Sequence, residues 1–482
     1  MQIVLYEDEQ VLEEVVVIGY GTAKKSDLTG SVGQIAAKEV QKRQTVNPVD
    51  ALAGRIAGVM VNNNSGRPGG QMDINIRGFN SINASNAPLF VIDGVVGADI
   101  NMINPTDIVS MNVLKDASST AIYGARGAGG VIMVTTKSGG YNSGMSVDYN
   151  FSLGISKSRN KIDMLNSEEF MAVLNKAFEN DGFEPVDWYR VNPQLFNKDG
   201  TPKYDTDWQD EVFQTAVSHR HYLTITNGTE RTKTTFSAGY QNENGILLNE
   251  WYRRFNLKFA NSFKINSHIE LNTSLAYNQI KENRYDDYNP GGLVVTRTML
   301  ETFPILPVRY SDGKYSTFGD FKYPSTLLKD NEIVYNEEGQ KMLDYDNTAA
   351  FYGFADNPVQ RANEFQREIS KDHFLGNAEL TVKLFDGLIL KTNGAIERSW
   401  SKTNMYAYKG LIGEAGGEGY ASISKAGSIY WQNENYLTYD QSWNEHKLNL
   451  MLGASWSGSS TESLSGSGQG FTSNFLLGII LV

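Results

Sequence analysis

The chain has 482 residues, 40% of them hydrophobic, and a formal net charge of -12. That charge disfavours a nucleic-acid partner, since phosphate binding needs clustered Lys and Arg. Without cysteine, neither a disulfide framework nor a lipid-modified N-terminal cysteine is available. No apolar run reaches the ~18 residues of a membrane-spanning helix. A membrane β-barrel stays open, because its alternating strands keep hydropathy low, and 25 Tyr, 22 Phe and 7 Trp among many Asn, Ser, Thr and Gly suit an all-β protein with wet surfaces.

The first stretch, MQIVLYEDEQ, lacks a cationic start followed by an apolar segment, so it does not read as a signal peptide. The chain is therefore expected to be mature or to lack its true beginning. Glu14, Val15, Val16, Val17, Ile18 and Gly19 form a short β-branched segment between acidic residues and glycines. It reads either as an ordinary buried strand or as one that detaches and adds to another protein's sheet edge.

From Leu28 to Thr136 the pattern predicts a compact α+β domain. Ser31 to Ile35 reads as a strand. Asn47-Pro48 supplies a cap and a first-turn proline for a helix over Val49 to Ile56, which presents Val49, Leu52, Ala53 and Ile56 on one face. Val59 to Val61 begins a strand, and NNNSGRPGG must be a loop. In DINIRG, Ile74 and Ile76 alternate with Asp73, Asn75 and Arg77, predicting one dry and one wet face. Leu89 to Ile92 runs into the turn Asp93-Gly94, and Val131 to Thr136 is a second buried strand. Arg77 and Asp93 are a candidate ion pair inside this domain, with substrate contact the lesser reading.

After Gly139-Gly140 the period becomes two. Met145, Val147, Tyr149, Phe151, Leu153 and Ile155 alternate with small or polar residues over a length that crosses a bilayer. The pattern recurs around Leu223, Ala238, Leu257, Leu271, Leu380, Leu390, Leu437 and Leu450, giving about nine strands with aromatic residues mostly near their ends. Asn266-Ser267 and Asp386-Gly387 read as tight turns, whereas Lys281 to Lys371 and Ser401 to Ser428 read as long polar loops. Short turns on one side and long loops on the other describe an outer-membrane barrel. Within IDMLNSEEFMAVLNKAFENDG an amphipathic helix is expected, capped by Ser167, with Phe170, Val173, Leu174 and Phe178 on one face.

Three wordings, DINIRGFNSIN, VIDG and VLKDASSTAIYGARGAGGVIMVTTK, resemble the plug of TonB-dependent outer-membrane transporters, nearest to the starch-utilisation and RagA-type receptors. The resemblance runs from about Leu12 to about Lys281 and weakens beyond. It implies an N-terminal extension and TonB box over 1–24, a plug over 25–140 and a partial barrel over 141–482. The plug motifs it singles out are Arg77, Gly78, Asp93, Gly94, Lys115, Asp116, Tyr123, Gly124, Arg126 and Gly127. It further implies energy-coupled import of an oligosaccharide or peptide across the bacterial outer membrane. Its partners would be TonB with the inner-membrane energising complex, a SusD-like surface lipoprotein and outer-membrane lipid. Tyr285, Tyr288, Trp400, Tyr406 and Tyr408 are candidate sugar-stacking residues in loops, with girdle or loop packing as the alternative.

Geometry limits how much of such a transporter is present. A plug of about 130 residues is roughly 36 Å across. Strands at about 4.8 Å spacing and ~40° tilt each add roughly 6 Å of circumference, so nine close a cylinder only about 18 Å wide. About 22 strands give roughly 44 Å, so the expected fold is a small α+β plug followed by about nine antiparallel strands of an incomplete barrel. The apolar, non-alternating tail Phe475 to Val482 adds to the expectation of a fragment.

Other chemistries are weaker. The run Gly124 to Gly130 lacks a GxxxxGK[ST] phosphate loop, His219 and His221 have no third ligand at obvious spacing, and the paired carboxylates sit in loops or linkers. No catalytic, cofactor-binding or metal set is assigned, and no enzymatic activity is expected. The competing class is a secreted or surface β-rich glycan-binding or adhesion protein without energy coupling.

Overall fold

Short strands dominate the N-terminal third and long ones the remainder. The computed structural model describes residues 15–18, 21–24, 32–36, 39, 47–63, 65–70, 72–78, 86–285, 294–325, 332–350, 356–411, 415–443 and 446–471. The tail from Phe475 lies outside them, as do Glu14, Gly19 and Tyr288.

Strand β1 (Val15–Ile18) pairs with β2 (Gly21–Lys24) as an antiparallel hairpin. The plug strands are β3 (Val32–Ala36), β4 (Val59–Asn63), β5 (Met72–Ile76), β6 (Leu89–Ile92), β7 (Val95–Val96), β8 (Ile108–Leu114) and β9 (Val131–Thr136). Five of them form a sheet in the order β3-β8-β9-β6-β7, with β6 parallel to β9. Strands β4 and β5 pair separately. Ile35, Leu52, Ile92, Val95, Ile108, Met111, Ile132 and Val134 meet in one core.

Two expectations change here. The helix expected over Val49 to Ile56 is one short 3-10 turn, Pro48–Leu52, with Asn47 accepting from the Val49 N–H at 3.0 Å. It stops early because Ala53 is already extended and Gly54 takes φ +72°. In β5, Asn75 is buried along with Ile74 and Ile76, so the expected wet face is partly covered.

Nine long strands follow: β10 (Gly144–Ser156), β11 (Ala216–Gly228), β12 (Thr232–Asn244), β13 (Trp251–Lys264) and β14 (Ile269–Asn283). After a short pair, β15 (Lys322–Ser325) with β16 (Asp344–Ala350), come β17 (Phe365–Phe385), β18 (Leu388–Ala407), β19 (Tyr420–Trp443) and β20 (His446–Gln469). The nine form one antiparallel sheet in sequence order from β10 to β20, and no ladder among the described residues joins those two edges. This is the expected partial barrel. Alternation sets its faces: Phe255, Phe259 and Phe263 of β13 are exposed, whereas Arg254, Asn256 and Lys258 are buried on the plug side.

The strands run further than expected. Most of Ser401 to Ser428 is ladder, leaving 408–419 as the connection, because Tyr406 pairs with Ala421 and Lys402 with Lys425. Strand β14 likewise reaches Asn283, and β17 restarts at Phe365.

The described residues of 157–215 and 284–364 gather at the long-loop end with their own core, built on Trp188, Phe196, Trp208, Ile305, Leu306 and Phe321. The helix Ser167–Asn180 belongs to it, but its cap is Asn166, which forms a reciprocal capping box with Glu169. Ser167, expected as the cap, instead turns its hydroxyl to Tyr204 and Asp205. Val173 is exposed and Met171 is buried in its place. Tyr310 in this cap has its phenol pKa raised by burial and by the adjacent Asp320 carboxylate.

Candidate functional site at the seam between plug and wall

The turn between β6 and β7 is where the small domain touches the long strands most densely. Asp93 and Gly94 sit at φ +48° and +85°, the left-handed pair that a two-residue hairpin requires. Their carbonyls then point at the wall. Asn377 of β17 donates to the Asp93 carbonyl at 2.6 Å, and Gln432 of β19 donates to the Gly94 carbonyl at 2.9 Å. The same Gln432 accepts from the Val96 N–H at 3.0 Å, so one amide satisfies both sides of the turn. Asn393 of β18 reaches Gly94 at 3.4 Å, and a Cβ at Gly94 would lie 2.8 Å from its amide nitrogen.

The Asp93 carboxylate turns inward. It accepts from the Thr136 N–H at 2.9 Å and from the Thr136 hydroxyl, tying the end of β6 to the end of β9. Lys258 of β13, only 6% exposed, donates to the Thr136 hydroxyl and to the Lys137 carbonyl at 3.2 Å, with Asp93 at 3.9 Å. Further along the wall Asn104 donates to Asn256 at 2.9 Å. Apolar contact fills the rest: Ala276, Leu375 and Ala395 join the plug core, and Met102 packs with Tyr252 and Ile280.

The expected pair of Arg77 with Asp93 does not form. Arg77, at φ +58°, instead binds Asp116 at 2.6 Å and the Lys115 carbonyl at 3.2 Å. Lys115 in turn donates to the Ala57 carbonyl at 3.1 Å. Thus Arg77, Gly78, Lys115 and Asp116 gather where β5 and β8 end. Tyr123 is buried and Arg126 exposed. Gly124 takes φ +57°, while Gly127 and Gly129 pass so close to the Thr120 and Ala87 carbonyls that a Cβ would meet oxygen at 3.0 and 2.9 Å. The run packs the plug tightly against itself.

Nearer the long-loop end, the wall carries Glu282, 2% exposed at its side chain, against Arg284 at 3.3 Å and Lys371 at 3.5 Å. Arg220 meets Glu243 at 2.5 Å. Gly69 of the plug loop lies against the Tyr252 ring, where any Cβ would clash.

The aromatic candidates separate. Tyr285 is fully buried and donates to the Leu248 carbonyl at 2.7 Å, so it packs the cap and its ring faces are not free for a sugar. Tyr285→Phe should cost the cap about 1 kcal/mol and Tyr285→Ala about 3–5 kcal/mol. Limited proteolysis of 157–215 and 284–364 would read this as faster cleavage in Tyr285→Ala only. Trp400 faces outward beneath the Arg398 guanidinium at 4.4 Å. Tyr406 and Tyr408 rings lie 4.6 Å apart at the long-loop rim, with Tyr406 8% exposed. His219 and His221 share the outer face, their rings 5.3 Å apart, and His221 bonds to the Tyr149 hydroxyl at 2.7 Å.

Lys258, Asn377, Asn393 and Gln432 escaped the sequence reading. They belong to four strands, three of them consecutive, and each is one polar residue in an alternating pattern. The only signal was that inward positions of these strands are too polar for an ordinary core.

Comparison with known proteins agrees with this geometry. Residues 24–131 match the family model described as TonB-dependent Receptor Plug Domain. The TonB-dependent receptor SusC of Bacteroides thetaiotaomicron is 41% identical over 332 residues, covering 67% of this chain and 31% of that protein. The chain is a SusC/RagA-like TonB-dependent receptor. The TonB-dependent receptor P3 of Formosa agariphila is 32% identical over 479 residues, 98% of this chain and 43% of that protein. Among solved structures, the RagAB peptide importer in its open-open state superposes with a TM-score of 0.75 at 23% identity, covering 96% of this chain and 51% of that one. At that identity the likeness concerns the fold. The receptor chain thus spans less than half the length of these two curated relatives.

Proposed function

We propose that this chain is the plug and first barrel strands of a receptor that imports an oligosaccharide or peptide across the bacterial outer membrane, energised through TonB. The supporting observation is the seam: a plug sheet held by Lys258, Asn377, Asn393 and Gln432 on the inward face of membrane-length strands. A plug fixed to an inner wall by side-chain hydrogen bonds, each worth about 1 kcal/mol net, can be displaced without breaking the wall's own ladders.

In this reading residues 1–24 are the end of an N-terminal extension with the TonB box, 25–140 the plug and 141–482 the partial barrel. Glu14 to Gly19 is the segment handed to TonB, and Arg77, Gly78, Asp93, Gly94, Lys115, Asp116, Tyr123, Gly124, Arg126 and Gly127 maintain the plug. Substrate is captured with a SusD-like surface lipoprotein over the cap, and its binding shifts the plug so that β1 becomes available. The RagAB neighbour is an importer of peptides, which keeps peptide beside oligosaccharide as the cargo class. Tyr406 and Tyr408 at the rim, and Tyr288 outside the described residues, remain aromatic candidates for contact with it, whereas Trp400 faces outward.

Outward faces such as Phe255, Phe259, Phe263 and Leu275 are exposed apolar surface that suits lipid. Cell fractionation tests the placement: the full-length receptor should require detergent for extraction from the outer membrane. Recovery from the periplasm or medium without detergent would reject it in favour of a secreted binding protein.

A further inference from the structure

The plug meets the wall in two different ways. On β17 and β19 its turn is hydrogen-bonded, with Asn377 on the Asp93 carbonyl and Gln432 on both the Gly94 carbonyl and the Val96 N–H. On β11 and β12 the inward positions are hydroxyls. Tyr222 and Thr224 of β11 and Thr235 and Ser237 of β12 are at most 4% exposed, and none of their hydroxyls makes a hydrogen bond among the described residues. The Tyr222 hydroxyl lies beside Ser237 and faces Thr106 and Asp107 of the plug, aligned for a hydrogen bond with none of them.

Register makes these residues one strip. Thr224 stands opposite Ser237 and Thr226 opposite Thr235, while the alternate residues Phe236 and Tyr240 are exposed on the outer face. Arg220, on the same inward face as Tyr222, marks the upper end. There a cavity of about 260 Å³ lies between Gly66, Arg67 and Pro68 of the plug loop and Ser218, Arg220 and Glu243 of the wall. From Arg220 down to Thr226 the strand rises about 20 Å, most of the height of an outer-membrane apolar band. At the foot the linker after β9 covers the strip, since a Cβ on Gly139 would lie 3.3 Å from the Thr235 hydroxyl oxygen.

The two sides part at different cost. A buried hydroxyl without a partner is a penalty in the seated plug, and uncovering it to water returns that penalty. Lifting the plug from β17 and β19 instead breaks the bonds of Asn377 and Gln432, and β13 adds Lys258 and the bond between Asn104 and Asn256. The plug therefore separates first from β11 and β12. Each hydroxyl then offers one donor and two lone pairs, repeated about every 7 Å along a strand, so a polar chain can exchange hydrogen bonds step by step.

We propose that imported cargo passes along this strip, between the plug and β11 with β12, while β13 and β17 to β19 keep the rest of the plug seated. This inference rests on the import reading given above.

The chain has no cysteine, so single substitutions report the opening directly. Ser237→Cys and Thr224→Cys lie in the strip, and Ala395→Cys lies on β18, 8% exposed against the plug core. Energised cells carrying the full-length receptor, fed a mixture of polysaccharide and casein hydrolysates, would be treated with a sulfonated maleimide in the presence and absence of TonB. Both strip variants should label about tenfold faster with TonB, as expected of a local opening, and Ala395→Cys should label at one slow rate in both. Labelling that depends on TonB at Ala395→Cys and not in the strip overturns the proposal. So does equal acceleration on both sides, which would mean that the plug leaves as a unit. Fast labelling of the strip without TonB overturns it too, making the strip a wet crevice at rest. Should Ser237→Cys fail to assemble, Thr224→Cys on the neighbouring strand decides alone. Failure of the import reading shows separately and removes the proposal with it: Val17→Cys, in the segment handed to TonB, would then label at the same rate with and without TonB.

Discussion

A receptor carrying Val16→Pro is expected to bind its substrate at the cell surface normally and to import none of it. Val15–Ile18 is already extended, paired with Gly21–Lys24 so that Val16 stands opposite Ala23. Strand addition to TonB would reuse those same main-chain groups, and its affinity comes from N–H and C=O pairing far more than from side chains. Proline removes the Val16 N–H and blocks a ladder bond at the centre of a four-residue strand. In so short a strand, neighbouring bonds cannot compensate. Growth with the substrate as sole carbon source should fall to the level of a strain lacking TonB, while binding of labelled substrate to whole cells stays within twofold of wild type. Val16→Thr, which keeps the N–H and the β-branched shape, should grow normally. Normal growth of Val16→Pro would sink strand addition as the coupling step. Loss of binding as well as growth would instead place the fault in assembly of the receptor.

The sequence was informative about local order and about period, and much less about where loops end. Alternation of apolar residues was enough to count nine long strands, because a sheet with lipid on one face must repeat every second residue. Strand ends were misplaced where polar residues continue the ladder beyond the apolar band, as in Ser401 to Ala407 and Tyr420 to Ser428. Polarity marks solvent, and the eye reads solvent as loop. A hydrogen-bonded ladder in water leaves no such mark. The helix expected over Val49 to Ile56 failed for the opposite reason. Its apolar spacing suits a helical face, but the same residues reach one core from a single turn followed by extended chain. Tyr285 shows the limit for sites. An aromatic residue in a long polar segment looks available, yet the segment builds its own core and takes the ring into it. The seam was the least legible part, since its polar side chains meet the plug turn only when β13 and the consecutive strands β17, β18 and β19 stand in register around it.

The strongest test of that seam is Lys258→Met. Lys258 is 6% exposed and has the Thr136 hydroxyl, the Lys137 carbonyl and the Asp93 carboxylate around it. Methionine keeps most of the volume and removes the donors. Asp93 then retains Thr136 as a partner but loses its countercharge. Breaking a fully buried pair costs about 3–5 kcal/mol, and with the Asp93 side chain 26% exposed water recovers part of that, leaving about 2 kcal/mol. The loss falls on the attachment of β6 and β9 to the wall, since the five-stranded ladder itself is unchanged. Amides of Val131–Thr136 that exchange through opening of the seam should therefore exchange roughly thirtyfold faster, at 1.4 kcal/mol per tenfold. Amides in the β17 and β18 ladder should exchange at the wild-type rate. Cells should become more sensitive to a bulky antibiotic that the intact outer membrane excludes, because a loosened plug leaks. Gln432→Ala, which removes neutral hydrogen bonds to Gly94 and Val96, should produce the same pattern at smaller amplitude. Unchanged exchange of Val131–Thr136 in Lys258→Met would mean that shape alone seats the plug. Faster exchange throughout the long strands would mean that Lys258 serves the barrel and not the seam.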